Sequence, residues 1–106
     1  MKIEQLDLIM LDLFDIKPTT LHSALFTLKC SNAFHVDIRK YYVFALTQIM
    51  GFKTSRVVDM TNLKLYQCYY YINKVLNDDS ASNKYYVKEL YKRIRHEQSK
   101  TDVGTY

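Results

Sequence analysis

The chain has 106 residues, of which 48% are hydrophobic and 25% are charged, and it carries a formal net charge of +4. This length suits one compact domain, and the apolar content excludes a chain that is disordered throughout. Only two glycines and one proline punctuate the chain, which favours helices over a turn-rich β fold.

The positive charge is unevenly distributed along the chain. Residues 1–34 hold three basic and four acidic residues, residues 35–78 hold six and three, and residues 79–106 hold six and four. We therefore expect an anionic partner to dock on the middle or the end of the chain.

The apolar runs are far shorter than the roughly 20 residues that a membrane-spanning helix needs. The N-terminus is acidic before its apolar stretch, unlike an export signal. Cys30 and Cys68 lie too far apart to predict a disulfide scaffold or a zinc site. The sequence thus predicts a cytoplasmic protein with no membrane partner, no metal site and no cofactor.

Helical spacing of apolar residues predicts a first helix over residues 3–14. It should end before Pro18, because the residue that precedes a proline is pushed out of the α region. A second helix is predicted from Thr19 or Thr20 to Lys29, with Thr as its N-terminal cap.

A polar break at residues 30–34 precedes a third and longer helix that should end at Met50, with Gly51 as its C-terminal cap. Its inward face is predicted to consist of Ile38, Tyr42, Ala45, Leu46 and Ile49.

A short fourth helix is predicted from Thr54 or Ser55 to Met60. A tight corner follows, in which Asn62 suits a left-handed backbone. The fifth helix should then run over residues 64–76.

A linker over residues 78–82 leads to a sixth helix over residues 83–96. Residues 1–96 are thus predicted to form one compact all-α bundle of about six helices, and residues 97–106 a flexible tail.

The fourth and fifth helices have the layout of a helix-turn-helix, a short helix joined by a tight corner to one of about three turns. Val57, Val58 and Met60 are the expected apolar anchors of the short helix. Any two-helix corner of an α protein has a similar pattern, so a purely structural corner stays an alternative.

The fifth helix contains the tyrosine-rich stretch LYQCYYYINK. At about 100° per residue, an inward side of Leu65, Cys68, Ile72, Val75 and Leu76 is predicted, with Tyr69 and Tyr71 on the flanks. The opposite side supplies donors, acceptors and flat apolar surface for base edges, or a surface for a protein partner. The predicted reading residues of this helix are Lys64, Tyr66, Gln67, Tyr70, Asn73 and Lys74.

Basic residues near helix starts are candidates for contact with the DNA backbone, since free backbone amides there also favour phosphate. The predicted phosphate contacts are Arg39, Lys40, Lys53, Thr54 and Arg56. The stretch KELYKRIRH in the sixth helix, with Lys88, Lys92, Arg93 and Arg95, is either a second phosphate patch or a solvated face.

The run RKYYVFALTQIMGFKTSRVVDM resembles the middle of the C-terminal DNA-binding domain of the DnaA replication initiator. The upstream run IEQLDLIMLDLFDIKPTTL is similar to the entry of that domain, and the resemblance spans roughly residues 3–95. The resemblance implies a Trp repressor-like helical bundle that binds duplex DNA. It also implies a stand-alone regulator or replication accessory, such as phages and mobile elements carry, for transcription regulation or DNA replication.

The chain departs from that family at the start of the recognition helix. LKLYQC stands where the family has an Arg-Asp-His-Ser-Thr-Val signature, so recognition of the family's origin sequence is not expected. The chain also has no glycine-rich phosphate-binding loop, so the initiator's ATPase activity is not implied.

The sequence predicts no enzyme, because His22, His35 and His96 are scattered and nothing groups a nucleophile with a base. The leading hypothesis is a double-stranded DNA-binding protein. The alternative is a protein-interaction module that reuses the same fold to bind a host protein, another partner or a second copy of itself.

Overall fold

The computed structural model describes residues 2–26 and 33–104, with side chains through Lys100. Within these residues the predicted all-α class is confirmed, because they form six α-helices in a compact globule with no strand. The helices are α1 (Ile3–Leu13), α2 (Pro18–Phe26), α3 (Ala33–Phe44), α4 (Thr54–Met60), α5 (Leu65–Asn77) and α6 (Ala81–Gly104). None of the described helices is both long enough and apolar enough to span a bilayer.

Helix α1 ends in a Schellman motif around Asp15, which has a left-handed backbone with φ of 52°. The N–H of Ile16 donates to the carbonyl of Leu11 at 3.0 Å, and the N–H of Asp15 donates to that of Asp12 at 3.3 Å. Pro18 is the first residue of α2, where its fixed φ is suited to a helix start.

The end of α2 is tied to the corner between α4 and α5 by Asn62. Its backbone N–H donates to the carbonyl of Leu25 at 3.1 Å, and its side-chain amide donates to that of Phe26 at 3.0 Å. The left-handed backbone predicted at Asn62 is wrong, because Asp15 is the one non-glycine residue of the described chain with positive φ. The predicted continuation of α2 to Lys29 lies outside the described residues.

Helix α3 lies at the centre of the bundle and continues into a π-helical turn over Ala45–Ile49. The predicted inward residues Ile38, Tyr42, Ala45 and Leu46 are confirmed as buried, but burial extends to every residue from 38 to 46. The physical reason is that α2, α5 and α6 pack around α3 and its π turn. Gly51 follows with φ of 79°, as expected of the predicted C-terminal cap.

An aromatic cluster joins the end of α1 to α3 and α6. The ring of Phe14 stacks on that of Tyr86 at a centroid distance of 4.7 Å and lies 5.6 Å from that of Tyr41. Tyr41 and Tyr86 approach each other at 5.3 Å. Such contacts add to the stability that burial of the rings already supplies.

Asn83 is buried at the start of α6 and makes three side-chain hydrogen bonds. Its amide nitrogen donates to the carbonyls of Val75 at 3.0 Å and Asp78 at 2.7 Å, while its oxygen accepts from the Tyr41 hydroxyl at 2.8 Å. This one side chain thereby joins α3, the end of α5 and α6, and it fixes where α5 ends.

Helix α6 begins two residues earlier and ends eight residues later than predicted, so the predicted end at His96 is wrong. Ser80 caps its start by accepting from the N–H of Asn83 at 3.3 Å. Glu97, Gln98 and Lys100 are good helix formers, and Glu97 pairs with Lys100 at 3.4 Å. The predicted flexibility of residues 97–106 stays a prediction.

Candidate nucleic-acid interface

A corner over residues 61–64 joins α4 to α5 and is held by both hydrogen bonds and burial. The Thr61 hydroxyl donates to the carbonyl of Val57 at 2.8 Å and accepts from the N–H of Leu63 at 3.3 Å. Val57 and Leu63 are buried, and α4 packs directly on α5. The orientation of α5 relative to α4 is therefore fixed by the corner.

Gln67 holds the first turn of α5. Its side-chain oxygen accepts from the backbone N–H of Lys64, the N-cap residue, at 2.8 Å. This is the arrangement that a Glu or Gln at the third helical position makes in a capping box. One lone pair of the Gln67 oxygen is thus engaged locally, so the NH₂ group is the more available part of this side chain for a base.

The core-facing side of α5 consists of Cys68, Tyr71, Ile72 and Val75. Tyr71 was predicted on a flank and Leu65 and Leu76 inward, yet Leu65 is 48% and Leu76 60% exposed. The buried side of α5 is therefore centred closer to Tyr71 than the spacing of its apolar residues predicts. Burial raises the pKa of the Cys68 thiol, in keeping with its prediction as a small core residue.

The solvent side of α5 presents three exposed tyrosines, with exposed fractions of 67% at Tyr66, 52% at Tyr69 and 57% at Tyr70. Tyr69 was not predicted here, although it lies three residues after Tyr66 and four before Asn73, a spacing that puts all three on one side. No acidic residue occurs between positions 64 and 77. We define the α5 face as Tyr66, Tyr69, Tyr70, Asn73, Lys74 and Asn77, all exposed.

Lys74 lies close to Tyr70 on this face, with its Nζ 5.5 Å from the ring centroid. Tyr70 also contacts the buried Tyr71 edge to face at 5.7 Å. A shallow depression of about 420 Å³ opens beside these side chains and is bounded by Asp78. Hydrogen bonding to Ser80, and more weakly the charges of Lys40 and Lys74, lower the pKa of Asp78.

Two of the predicted phosphate contacts are exposed at the start of α4. Lys53 is the N-cap residue of α4, and the guanidinium carbon of Arg56 lies 4.2 Å from the ring centroid of Phe52. Stacking on a ring restrains the long Arg side chain and leaves its charge at the surface. Thr54 is the first residue of α4 and not its cap, and it is only half-buried.

Arg39 and Lys40 are buried, each 5% exposed, so their prediction as phosphate contacts is wrong. The side chain of Arg39 donates to the carbonyl of Ala24 in the last turn of α2, where a cation is favoured. Lys40 pairs with Asp37 at 3.3 Å and lies over the Tyr41 ring. Both side chains are enclosed by the bundle, because α3 is its central helix.

In the basic stretch of α6, Lys92, Arg93 and Arg95 line a groove with α1, whereas Lys88 lines a small depression with Val75 and Leu76 of α5. Arg93 pairs with Asp12 at 2.7 Å and with Glu89 at 3.5 Å. Arg95 lies over the ring of Tyr91 at 5.6 Å, and Lys92 is exposed. Lys92, Arg93 and Arg95 are therefore separate from the α5 face.

Comparisons of the chain with protein-family models, with curated proteins and with solved structures each find no match. The resemblance to the DnaA C-terminal domain therefore stays a hypothesis that depends on the sequence runs alone. The surface of α4 and α5 is the remaining basis for an inference about function.

Proposed function

We propose that this protein binds double-stranded DNA, with α4 and α5 acting as a helix-turn-helix and the α5 face lying in the major groove. The observation that carries the proposal is an exposed helix face of tyrosines, amides and a lysine without any acidic residue. A face selected only for solvation is typically rich in Glu as well as Lys. DNA instead requires a face that repels neither phosphates nor the acceptors of the base edges.

Charge around the α5 face supports the same partner. Lys53, Arg56, Lys64 and Lys74 are all exposed, and Asp59 is the one acidic residue from position 53 to 77. In a helix-turn-helix the first helix crosses the DNA backbone while the second enters the groove. Lys53 and Arg56 on α4 would then contact phosphates, and Lys64 would lie at the groove entrance.

Within the groove, the reading residues of the proposed complex are Tyr66, Tyr70 and Asn73. An Asn side chain can bond adenine through two hydrogen bonds, and a tyrosine ring offers apolar surface to a thymine methyl group. Helix α5 contains no arginine, the residue that most often reads guanine. Gln67 is a weaker candidate than the sequence indicates, because its oxygen already caps α5.

The resemblance to the DnaA C-terminal domain supports a role as a stand-alone regulator or replication accessory. That role needs only duplex binding by a helical domain, and it needs no ATPase activity. The missing family signature at residues 63–68 implies a DNA site different from the family's.

A second candidate function is binding to a partner protein through the same surface. Leu65 and Leu76 are exposed beside the tyrosines of the α5 face, and apolar side chains clustered with tyrosine are typical of protein interfaces. This partner would use aromatic and aliphatic contacts and would depend little on Lys53 or Arg56.

The experiment that tests DNA binding is a titration of a fluorescently labelled duplex library with the full chain. We expect binding at about 50 mM salt that weakens steeply as salt increases, because bound cations are released from phosphates. Selection from randomised duplexes should then return a defined motif. Absence of binding to the library at the low salt concentration contradicts the proposal and favours the protein partner.

A further inference from the structure

A groove between α1 and α6 lies apart from the α5 face. Its volume is about 920 Å³, and it is formed by side chains of α1 and α6 alone. Leu8 is 66% exposed at its edge, the largest exposed fraction of any leucine described here, and Ile9 lies deeper against the core. An exposed leucine beside an open groove indicates a docking surface.

The two walls of this groove differ in charge. On the α6 wall, Lys92 and Arg95 are exposed and have no acidic partner among the described side chains. The acids that line the groove are already paired, Asp12 with Arg93 at 2.7 Å and Glu97 with Lys100 at 3.4 Å. The α6 wall is therefore basic and suits an acidic amphipathic helix.

Such a helix is present in the chain itself. On α1, Glu4, Leu8 and Asp12 recur every four residues and are all exposed, which puts them on one ridge of the helix. Glu4, before the exposed leucine, forms no ion pair among the described side chains, whereas Asp12, after it, is paired with Arg93 of the same chain. On α6, Lys92 and Arg95 form the matching basic ridge along the groove.

We propose that a second copy of this chain docks in the groove and forms a two-fold dimer, with the α1 ridge of each copy on the α6 ridge of its partner. A two-fold interface must be self-complementary, because the same patch serves both copies. An acidic ridge beside a basic ridge meets that condition, and the two Leu8 side chains would cover the two grooves. No residue of the α5 face lines the groove, so both α5 faces stay accessible in the dimer.

Sedimentation of the full chain over a range of concentrations and salt tests this proposal independently of DNA binding. We expect the mass to rise from the 12.6 kDa of one chain toward the mass of two, and to rise less at high salt. Leu8→Lys should keep the single-chain mass at every concentration, because it removes the apolar contact and places a cation against the basic ridge of the partner. Leu76→Lys is the matched control, since Leu76 is 60% exposed on α5, and it should associate like the wild type.

A charge exchange tests the pairing of the ridges. Lys92→Glu with Arg95→Glu, and separately Glu4→Lys, should each weaken self-association, whereas a mixture of the two variants should regain the mass of two chains. All of these positions are exposed, and circular dichroism verifies the fold of each variant. A wild type that stays at the single-chain mass, a Leu8→Lys variant that still associates, or a mixture that does not recover overturns the proposal.

Discussion

The side-chain oxygen of Gln67 accepts a hydrogen bond from the backbone N–H of Lys64 at 2.8 Å. A residue whose position in the sequence suggests contact with bases thus also stabilises the start of the helix that carries it. Its two roles can be separated by choosing substitutions that keep or remove the acceptor.

Gln67→Ala should lower the free energy of unfolding by about 0.5–1 kcal/mol, because one capping hydrogen bond is lost. Gln67→Glu keeps the acceptor and should leave stability unchanged or slightly raised, since an acid is favoured in the first turn. It should nevertheless weaken DNA binding by about 1 kcal/mol through repulsion of phosphates. Urea unfolding and duplex titration of both variants measure the two effects, and equal loss of stability in both would contradict the capping role.

Asn83→Ala should destabilise the fold by about 2–4 kcal/mol. Three hydrogen bonds of a buried side chain are removed, and the hydroxyl of Tyr41 and two carbonyls lose a partner. Asn77→Ala is the matched control, because Asn77 is exposed on α5, and it should stay within about 0.5 kcal/mol of the wild type. Thermal or urea unfolding gives both values, and a small effect at Asn83 would show that α6 docks without this contact.

Asp15→Gly should stabilise the protein by about 0.5–1 kcal/mol. A residue with a Cβ is strained at the positive φ of Asp15, and the negative charge lies unfavourably at the end of α1. Gly51→Ala should have the opposite effect by a similar amount, because Gly51 also has positive φ while an added Cβ would meet no atom. Unfolding midpoints compare the two, and a destabilised Asp15→Gly would contradict the Schellman interpretation of this turn.

The carboxyl of Asp7 should make stability fall as the pH rises. Burial raises its pKa above the ordinary 3.8, the hydrogen bond from Tyr42 at 2.7 Å lowers it in part, and the charge of Glu4 raises it further. Because the folded state favours protonated Asp7, the stability that Asp7 contributes is fully present below pH 3.8. It is lost as the pH rises through the raised pKa of the folded state.

Asp7→Asn should remove this pH dependence. The free energy of unfolding of the variant, relative to that of the wild type, should therefore increase from acid pH to neutrality. Tyr42→Phe should make the loss with pH larger, because it removes the hydrogen bond that lowers the pKa of Asp7. Unfolding free energies measured across the acid range test this prediction. A difference between Asp7→Asn and the wild type that is constant with pH would refute it.

The order of the six helices is predictable from sequence, because proline, glycine and polar residues mark several of their ends. Gly51 is the clearest example, since its position after an amphipathic run predicts the cap that its positive φ provides. The end of α6 was missed because no glycine or proline follows His96 until Gly104, and Glu97, Gln98 and Lys100 are good helix formers.

The candidate site was harder to predict, since exposure depends on which elements surround a helix. The charges of Arg39 and Lys40 suggest a surface, yet both residues belong to the central helix, and no local pattern reveals that other helices enclose it. The burial of Tyr71 and the exposure of Leu65 likewise follow from the rotation of α5. The exposed tyrosines at positions 66 and 70 were predictable from helical phase alone.

The most direct test of DNA binding is the salt dependence of duplex affinity for Lys53→Glu with Arg56→Glu. The matched control is Lys2→Glu with Lys17→Glu, which changes the net charge equally at exposed positions away from α4 and α5. We expect the α4 variant to lose at least about tenfold in affinity at low salt and about two units of the salt slope, and the control to keep both. Equal losses in both variants, or none in either, would contradict docking of α4 and α5 on DNA.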